Sequence, residues 1–215
     1  MTGMDNRRPL ASRGTKWAAM LTRRLAATSV TPNQISMMSM VTAACAGAAF
    51  WASAHIDGAA HFVLLLAAAL FIQLRLLCNL LDGMVAIEAG KSAPDGPFWN
   101  EFPDRIADVF ILVGAGLGAG TPALGWAAAT FAILTAYVRE HGRACGAPAD
   151  YSGPMAKQHR MAAMTLAALA SAIEPFWNPD PILLKAALWI VAIGSAVTAL
   201  RRAARVIAYL RAVVR

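Results

Sequence analysis

The side chains with the most chemical potential in this sequence are acids and amides grouped in two short stretches. Arg75, Asn79, Asp82 and Ala86 recur at i, i+4, i+7 and i+11, so a helix presents them on one face. Asn100, Asp104 and Asp108 recur at i, i+4 and i+8 and share one face of a second helix. The connection between the stretches is short, which makes the two helices antiparallel neighbours with faces that can converge. Hard oxygen donors of this kind suit Mg²⁺ or Mn²⁺, ions usually held by a few carboxylates and completed by substrate phosphates. The competing reading of the same residues is two buried ion pairs, Asp104–Arg105 and Arg75–Asp82. No Ser, His or Cys spacing suggests a nucleophilic triad.

The elements that must position these groups follow from the distribution of charge. Of 215 residues, 58% are hydrophobic and 14% charged, against about 25% charged in soluble domains. No Asp, Glu, Lys or Arg occurs from Leu25 to Ile56 or from Val109 to Val138, as expected of membrane spans. Carboxylates inside such spans cost roughly 2.5–3.5 kcal/mol each on insertion scales and are therefore functional by default. The sequence Gly118-Ala-Gly-Thr-Pro122 interrupts the second run, leaving only Val109–Leu117 before it, too short to cross about 30 Å of hydrocarbon. The third span must therefore start near Phe98 and carry Asn100, Glu101, Asp104, Arg105 and Asp108 inward.

The resulting expectation is an all-α integral membrane bundle of six transmembrane helices, at about 33–54, 60–87, 98–117, 122–142, 154–174 and 182–210. An N-terminal amphipathic interfacial helix precedes it. Residues 1–30 form a basic amphipathic segment, with Arg7, Arg8, Arg13, Lys16, Arg23 and Arg24 beside an apolar stripe of Trp17, Leu21 and Leu25. Residues 31–215 form the membrane domain. Thr31-Pro32-Asn33-Gln34 is a helix start, with Thr31 as cap, Pro32 in the first turn and Gln34 at the capping-box position.

The net charge is +7, and its basic residues lie between and beyond the apolar runs. That reads as positive-inside topology rather than nucleic-acid binding. Loops near 55–60, 117–123 and 174–181 contain no Lys or Arg. This places both termini and the polar ends of the second and third spans in the cytoplasm, in an inner or cytoplasmic membrane. Cys45, Cys78 and Cys145 are odd in number and lack C-x-x-C spacing, so they read as packing residues.

The polar stretch resembles the CDP-alcohol phosphatidyltransferase family. Members carry D-x-x-D-G-x-x-A-R, eight residues, then G-x-x-x-D-x-x-x-D. This chain reads Asn79-Leu-Leu-Asp82-Gly83-Met-Val-Ala86-Ile87, eight residues, then Gly96-Pro-Phe-Trp-Asn100-Glu-Phe-Pro-Asp104. Thr31-Pro32-Asn33 likewise matches the family's T-P-N entry to the first span. The chain departs in having Asn79 and Asn100 for the first and third aspartates and Ile87 for the arginine.

The resemblance implies transfer of a phosphatidyl group from a CDP-activated lipid such as CDP-diacylglycerol to a small polar alcohol, releasing CMP. A CDP-choline-type donor is close behind. The non-enzymatic alternative, motivated by the two asparagines, is a membrane relative that binds nucleotide-lipid or a partner protein. The implied cofactor is Mg²⁺ or Mn²⁺, held by Asn79, Asp82, Asn100 and Asp104. Asp108 enters in a second register that takes Asp104 and Asp108 as the third and fourth positions. Asp104 is the implied base on the acceptor hydroxyl, Gly83, Ala86 and Gly96 border the nucleotide, and Lys157 and Arg160 are cations for phosphate. Membrane lipids surround the chain, nucleic acid is not a partner, and a homodimer is an assembly the resemblance allows.

Overall fold

The computed structural model describes residues 16–88, 90–91, 93–178 and 180–213. Among them lie seven α-helices and no strand: α1 (Lys16–Ala26), α2 (Pro32–Ser53), α3 (Gly58–Glu88), α4 (Gly96–Gly118), α5 (Pro122–Ala144), α6 (Lys157–Ile173) and α7 (Ile182–Val213). A single 3-10 turn, Glu174–Phe176, follows α6. Arg7, Arg8 and Arg13 lie outside the described residues.

The expected start of α2 is present in full. Gln34 N–H donates to Thr31 Oγ1 at 3.2 Å, Thr31 N–H donates to Gln34 Oε1 at 2.9 Å, and Pro32 opens the helix. Helix α4 starts at Gly96, two residues before Phe98, because Pro97 fits the first helical turn where no N–H partner is needed. Helix α6 starts at Lys157 rather than 154, because Ala156 is still in extended backbone, with φ −66° and ψ 162°, and caps the helix.

Three of the helices, α2, α3 and α7, are long and apolar enough to cross a membrane. At 1.5 Å per residue, the 31 residues of α3 extend about 46 Å, well beyond a hydrocarbon core of about 30 Å. Its last turns, which carry Asn79 and Asp82, therefore lie toward one end of the bundle. The bundle exposes large apolar side chains on its outer faces, including Val41, Leu70, Trp126, Leu166, Ile193 and Leu200. That surface is costly in water and suited to lipid; this is an integral membrane protein.

The inside is packed with small residues. Ala43, Ala46, Ala68, Ala107, Ala115, Ala128, Ala132 and Ala168 are buried in one core cluster with Phe50, Leu65, Ile72, Ile111 and Leu188. Where α2 crosses α4, a Cβ added to Gly114 would run into the backbone of Gly47, and one added to Gly47 would strike the Phe110 carbonyl oxygen. Such close backbone approach is how membrane helices associate when lipid removes the hydrophobic drive between them.

Helix α1 corrects one detail of the sequence expectation. Its inward residues are Ala18 and Thr22, packed against Leu80 and Met84 of α3, with Leu21 and Leu25 partly buried beside Ile35, Leu81 and Val85. Trp17, placed on the apolar stripe, is about half exposed.

Candidate active site

The loop between α3 and α4 is tied down on both sides. Lys91 Nζ donates to the Thr28 carbonyl at 2.7 Å and to those of Ala26 and Val30, ending α1 with a cation. Asp95 accepts from Asn33 Nδ2 at 3.0 Å and from the Trp99 indole at 2.9 Å. The T-P-N segment thus holds the start of α4 against α2. With the loop held, the polar faces of α3 and α4 open onto one pocket of about 840 Å³ at that end of the bundle. This volume is in the range of small-molecule sites.

Asn79, Asp82, Gly83, Ala86, Gly96, Asn100, Asp104, Lys157 and Arg160 all line this pocket. Asp82 is buried, with Ser36 Oγ donating to one carboxylate oxygen at 2.7 Å and Gly83 N–H to the other at 2.6 Å. Asp104 is buried as well. Its Oδ1 accepts from Arg75 Nη2 at 3.0 Å and from Asn79 Nδ2 at 3.2 Å, and its Oδ2 is ion-paired with the Lys157 ammonium. Lys157 also donates to Asn79 Oδ1. Asn100 is exposed at the pocket wall.

Asp108 is the site candidate that lies apart from the pocket wall. It is fully buried one turn deeper on α4, where Arg160 Nη2 donates to it at 2.7 Å. The Asp108 expectation is corrected accordingly: this carboxylate neutralises Arg160 inside the bundle, because an unpaired guanidinium there would be prohibitive. The register with Asp104 in the fourth place is the one that faces the pocket. The ion-pair reading is corrected as well. Arg75 reaches across to Asp104 and not along its own helix to Asp82, and Arg105 pairs mainly with Glu101, lying 3.9 Å from Asp104. Glu101, one of the acids carried inward on α4, is taken by Arg105 and Arg139.

Several pocket residues escaped the sequence reading. Ser36 is one, an ordinary helical serine until α2 meets α3. Arg139 is another, at the polar end of α5, and lines the pocket with its guanidinium 4.9 Å from the Tyr151 ring centre. Arg202 is a third. It is buried, donates to the Ser152 carbonyl at 3.0 Å and to the Thr135 carbonyl at 2.9 Å, and lines the pocket. A signal existed for it: Ser195, Thr198, Ala199 and Arg202 recur at i, i+3, i+4 and i+7, one buried face of α7.

The α5–α6 connection is pinned to α7, and this sets where Lys157 and Arg160 begin. Met155 N–H donates to Thr198 Oγ1 at 3.0 Å, and Arg205 pairs with Asp150 at 2.9 Å. Partial burial pushes the Asp150 carboxyl up, but the Ser152 hydroxyl and N–H and the Arg205 guanidinium outweigh it and hold the group below the usual carboxylate range.

The donors fit a hard cation: two carboxylates, Asp82 and Asp104, and two amide oxygens, Asn79 and Asn100, line one pocket. Among the described residues, no three His, Cys, Asp or Glu side chains form a ligand cluster. Asparagine supplies two of the four pocket positions, at 79 and 100.

No family model matches the sequence. The chain is 31% identical over 139 residues to a phosphatidylinositol phosphate synthase of Streptomyces avermitilis, a match covering 61% of this chain and 57% of that protein. It is 34% identical over 151 residues to a bifunctional IPC transferase and DIPP synthase of Rubrobacter xylanophilus, covering 67% of this chain and 32% of that protein. The chain thus spans about half or less of the length of these curated relatives. In fold it is similar to the phosphatidylinositol phosphate synthase of Mycobacterium tuberculosis solved with CDP-DAG bound, with a TM-score of 0.74, 19% identity, and 89% of this chain and 94% of that one covered. The same enzyme solved with manganese and citrate gives a TM-score of 0.72 at 19% identity, covering 88% of each chain.

Proposed function

We infer that this chain belongs to the CDP-alcohol phosphatidyltransferase family and transfers a phosphatidyl group from a CDP-activated lipid such as CDP-diacylglycerol to a small alcohol, releasing CMP. The observation that carries the reading is one pocket lined by Asn79, Asp82, Gly83, Ala86, Gly96, Asn100 and Asp104, the residues of a long, correctly spaced motif. The curated relatives, one a phosphatidylinositol phosphate synthase and one an IPC transferase, support it.

In this reading Asp82, Asp104 and the amide oxygens of Asn79 and Asn100 hold Mg²⁺ or Mn²⁺, which when bound neutralises charge building on the leaving CMP phosphate. Ser36 and the Gly83 N–H fix the Asp82 carboxylate in place. Asp104, oriented by Arg75 and Asn79, accepts the acceptor alcohol's proton as that oxygen attacks the β-phosphorus. Gly83 leaves room for the nucleotide to approach α3. Lys157 supplies positive charge toward phosphate, and Arg160, neutralised by Asp108, lends the pocket wall hydrogen-bond donors rather than net charge. Purified protein is expected to release CMP from CDP-diacylglycerol with a suitable alcohol and Mg²⁺ or Mn²⁺, and to stop when the metal is chelated. The absence of CMP release across a broad panel of acceptors would leave the non-catalytic alternative standing.

The six-span topology, with both termini and the pocket cytoplasmic, is part of the same proposal and rests on the Lys and Arg distribution. Exposed Cys145, at the pocket end of α5, is expected to react with a membrane-impermeant maleimide only in inside-out vesicles. An Asp57→Cys variant, in the connection between α2 and α3, should react only from the opposite side. Labelling of both from one side would overturn the topology.

A further inference from the structure

The asparagines at 79 and 100 change the charge balance of the pocket, and Lys157 completes the change. Of the carboxylates that line the pocket, Asp104 is paired with Arg75 and Lys157, Glu101 is paired with Arg105 and Arg139, and Asp82 is held by Ser36 and the Gly83 N–H. The side chains of Arg75, Asp104 and Lys157 are 0%, 8% and 14% exposed. Cations of the protein thus already offset the acids that line the pocket. Aspartate at both positions would add two negative charges to it, each of which attracts a divalent ion. The Lys157 ammonium moreover lies between Asn79 Oδ1 and Asp104 Oδ2, two of the oxygens a divalent ion would use. Asn79 is committed to this arrangement, since its amide nitrogen donates to Asp104 Oδ1 at 3.2 Å, a bond no aspartate could donate.

We propose that Lys157 is a built-in counter-ion of this pocket, so that the protein alone takes up divalent metal only weakly and acquires it together with the substrate's diphosphate. The diphosphate brings the missing negative charge and, as an anion, draws the Lys157 ammonium away from Asp104 toward itself. Metal and nucleotide then bind with strong mutual cooperativity, each raising the other's affinity by the same factor. The inference rests on the CDP-lipid reading for the identity of the diphosphate, whereas the role of Lys157 rests on geometry and charge alone.

The test measures Mn²⁺ binding to the full chain in detergent by electron paramagnetic resonance, with Mn²⁺ alone and with Mn²⁺ plus CDP-diacylglycerol. Wild type is expected to bind Mn²⁺ alone weakly and at least tenfold more tightly with the CDP-lipid. Lys157→Met is expected to bind Mn²⁺ alone at least tenfold more tightly than wild type and to show a smaller gain from the lipid. Lys157→Gln, which keeps a hydrogen bond to Asn79 without the charge, should behave like Lys157→Met and serves if the methionine variant fails to fold. If wild type binds Mn²⁺ alone as tightly as the lysine variants do, the proposal fails. CMP release is measured in parallel. The expected Mn²⁺ pattern without CMP release would sink the transfer reaction but leave the counter-ion role of Lys157 standing.

Discussion

Asp104→Asn is expected to lower CMP release by about 10²–10⁴-fold, the range for losing a general base. Asparagine keeps the size of the side chain and an oxygen that can accept from Arg75, which now donates to Asp104 Oδ1 at 3.0 Å. It cannot accept the alcohol's proton. The substitution also leaves buried Arg75 and Lys157 without their counter-charge, so stability must be read beside activity. Thermal unfolding in detergent separates the two effects: a folded variant with lost turnover supports the catalytic role. Turnover of the variant within a few-fold of wild type would remove Asp104 as the base.

Asp108→Leu is expected to destabilise the protein by about 3–5 kcal/mol, because it leaves the Arg160 guanidinium buried without its counter-charge. Arg160 Nη2 lies 2.7 Å from Asp108, and both side chains are almost wholly enclosed, at 2% and 0% exposure. Removing both charges avoids that penalty, so Asp108→Leu combined with Arg160→Met should recover most of the loss, a coupling that a double-mutant cycle measures directly. Thermal unfolding of the single and double variants is the readout. The contrary result, an Asp108→Leu protein as stable as wild type but weakened in Mn²⁺ binding, would return Asp108 to the ligand set.

Much of the scaffold was legible in the sequence, because it depends on intervals along one chain. A helix converts spacing into direction, so Asn79 with Asp82, and Asn100 with Asp104, could be assigned to shared faces before any contact was known. The start of α2 was equally readable, since Thr31 and Gln34 satisfy each other's backbone within four residues. So was the need for α4 to begin well before Val109, which follows from the rise per residue and the thickness of a bilayer.

Which charge meets which was not legible, because an intramembrane ion pair is chosen by how neighbouring helices are rotated and how closely they approach. Arg75 could have turned toward Asp82 on its own helix, and the packing of both α3 and α4 against α2 gave it Asp104 instead. Asp108 continues the Asn100 and Asp104 face, but one further turn carried it below the pocket and against Arg160 of α6. Ser36, Arg139 and Arg202 joined the pocket from α2, α5 and α7, at sequence distances that no local period can span. Sequence alone thus determined the helices, their polar faces and the motif. The tertiary structure decided the pairing of charges, because a buried charge takes its partner from whichever helix packing brings within a few ångströms.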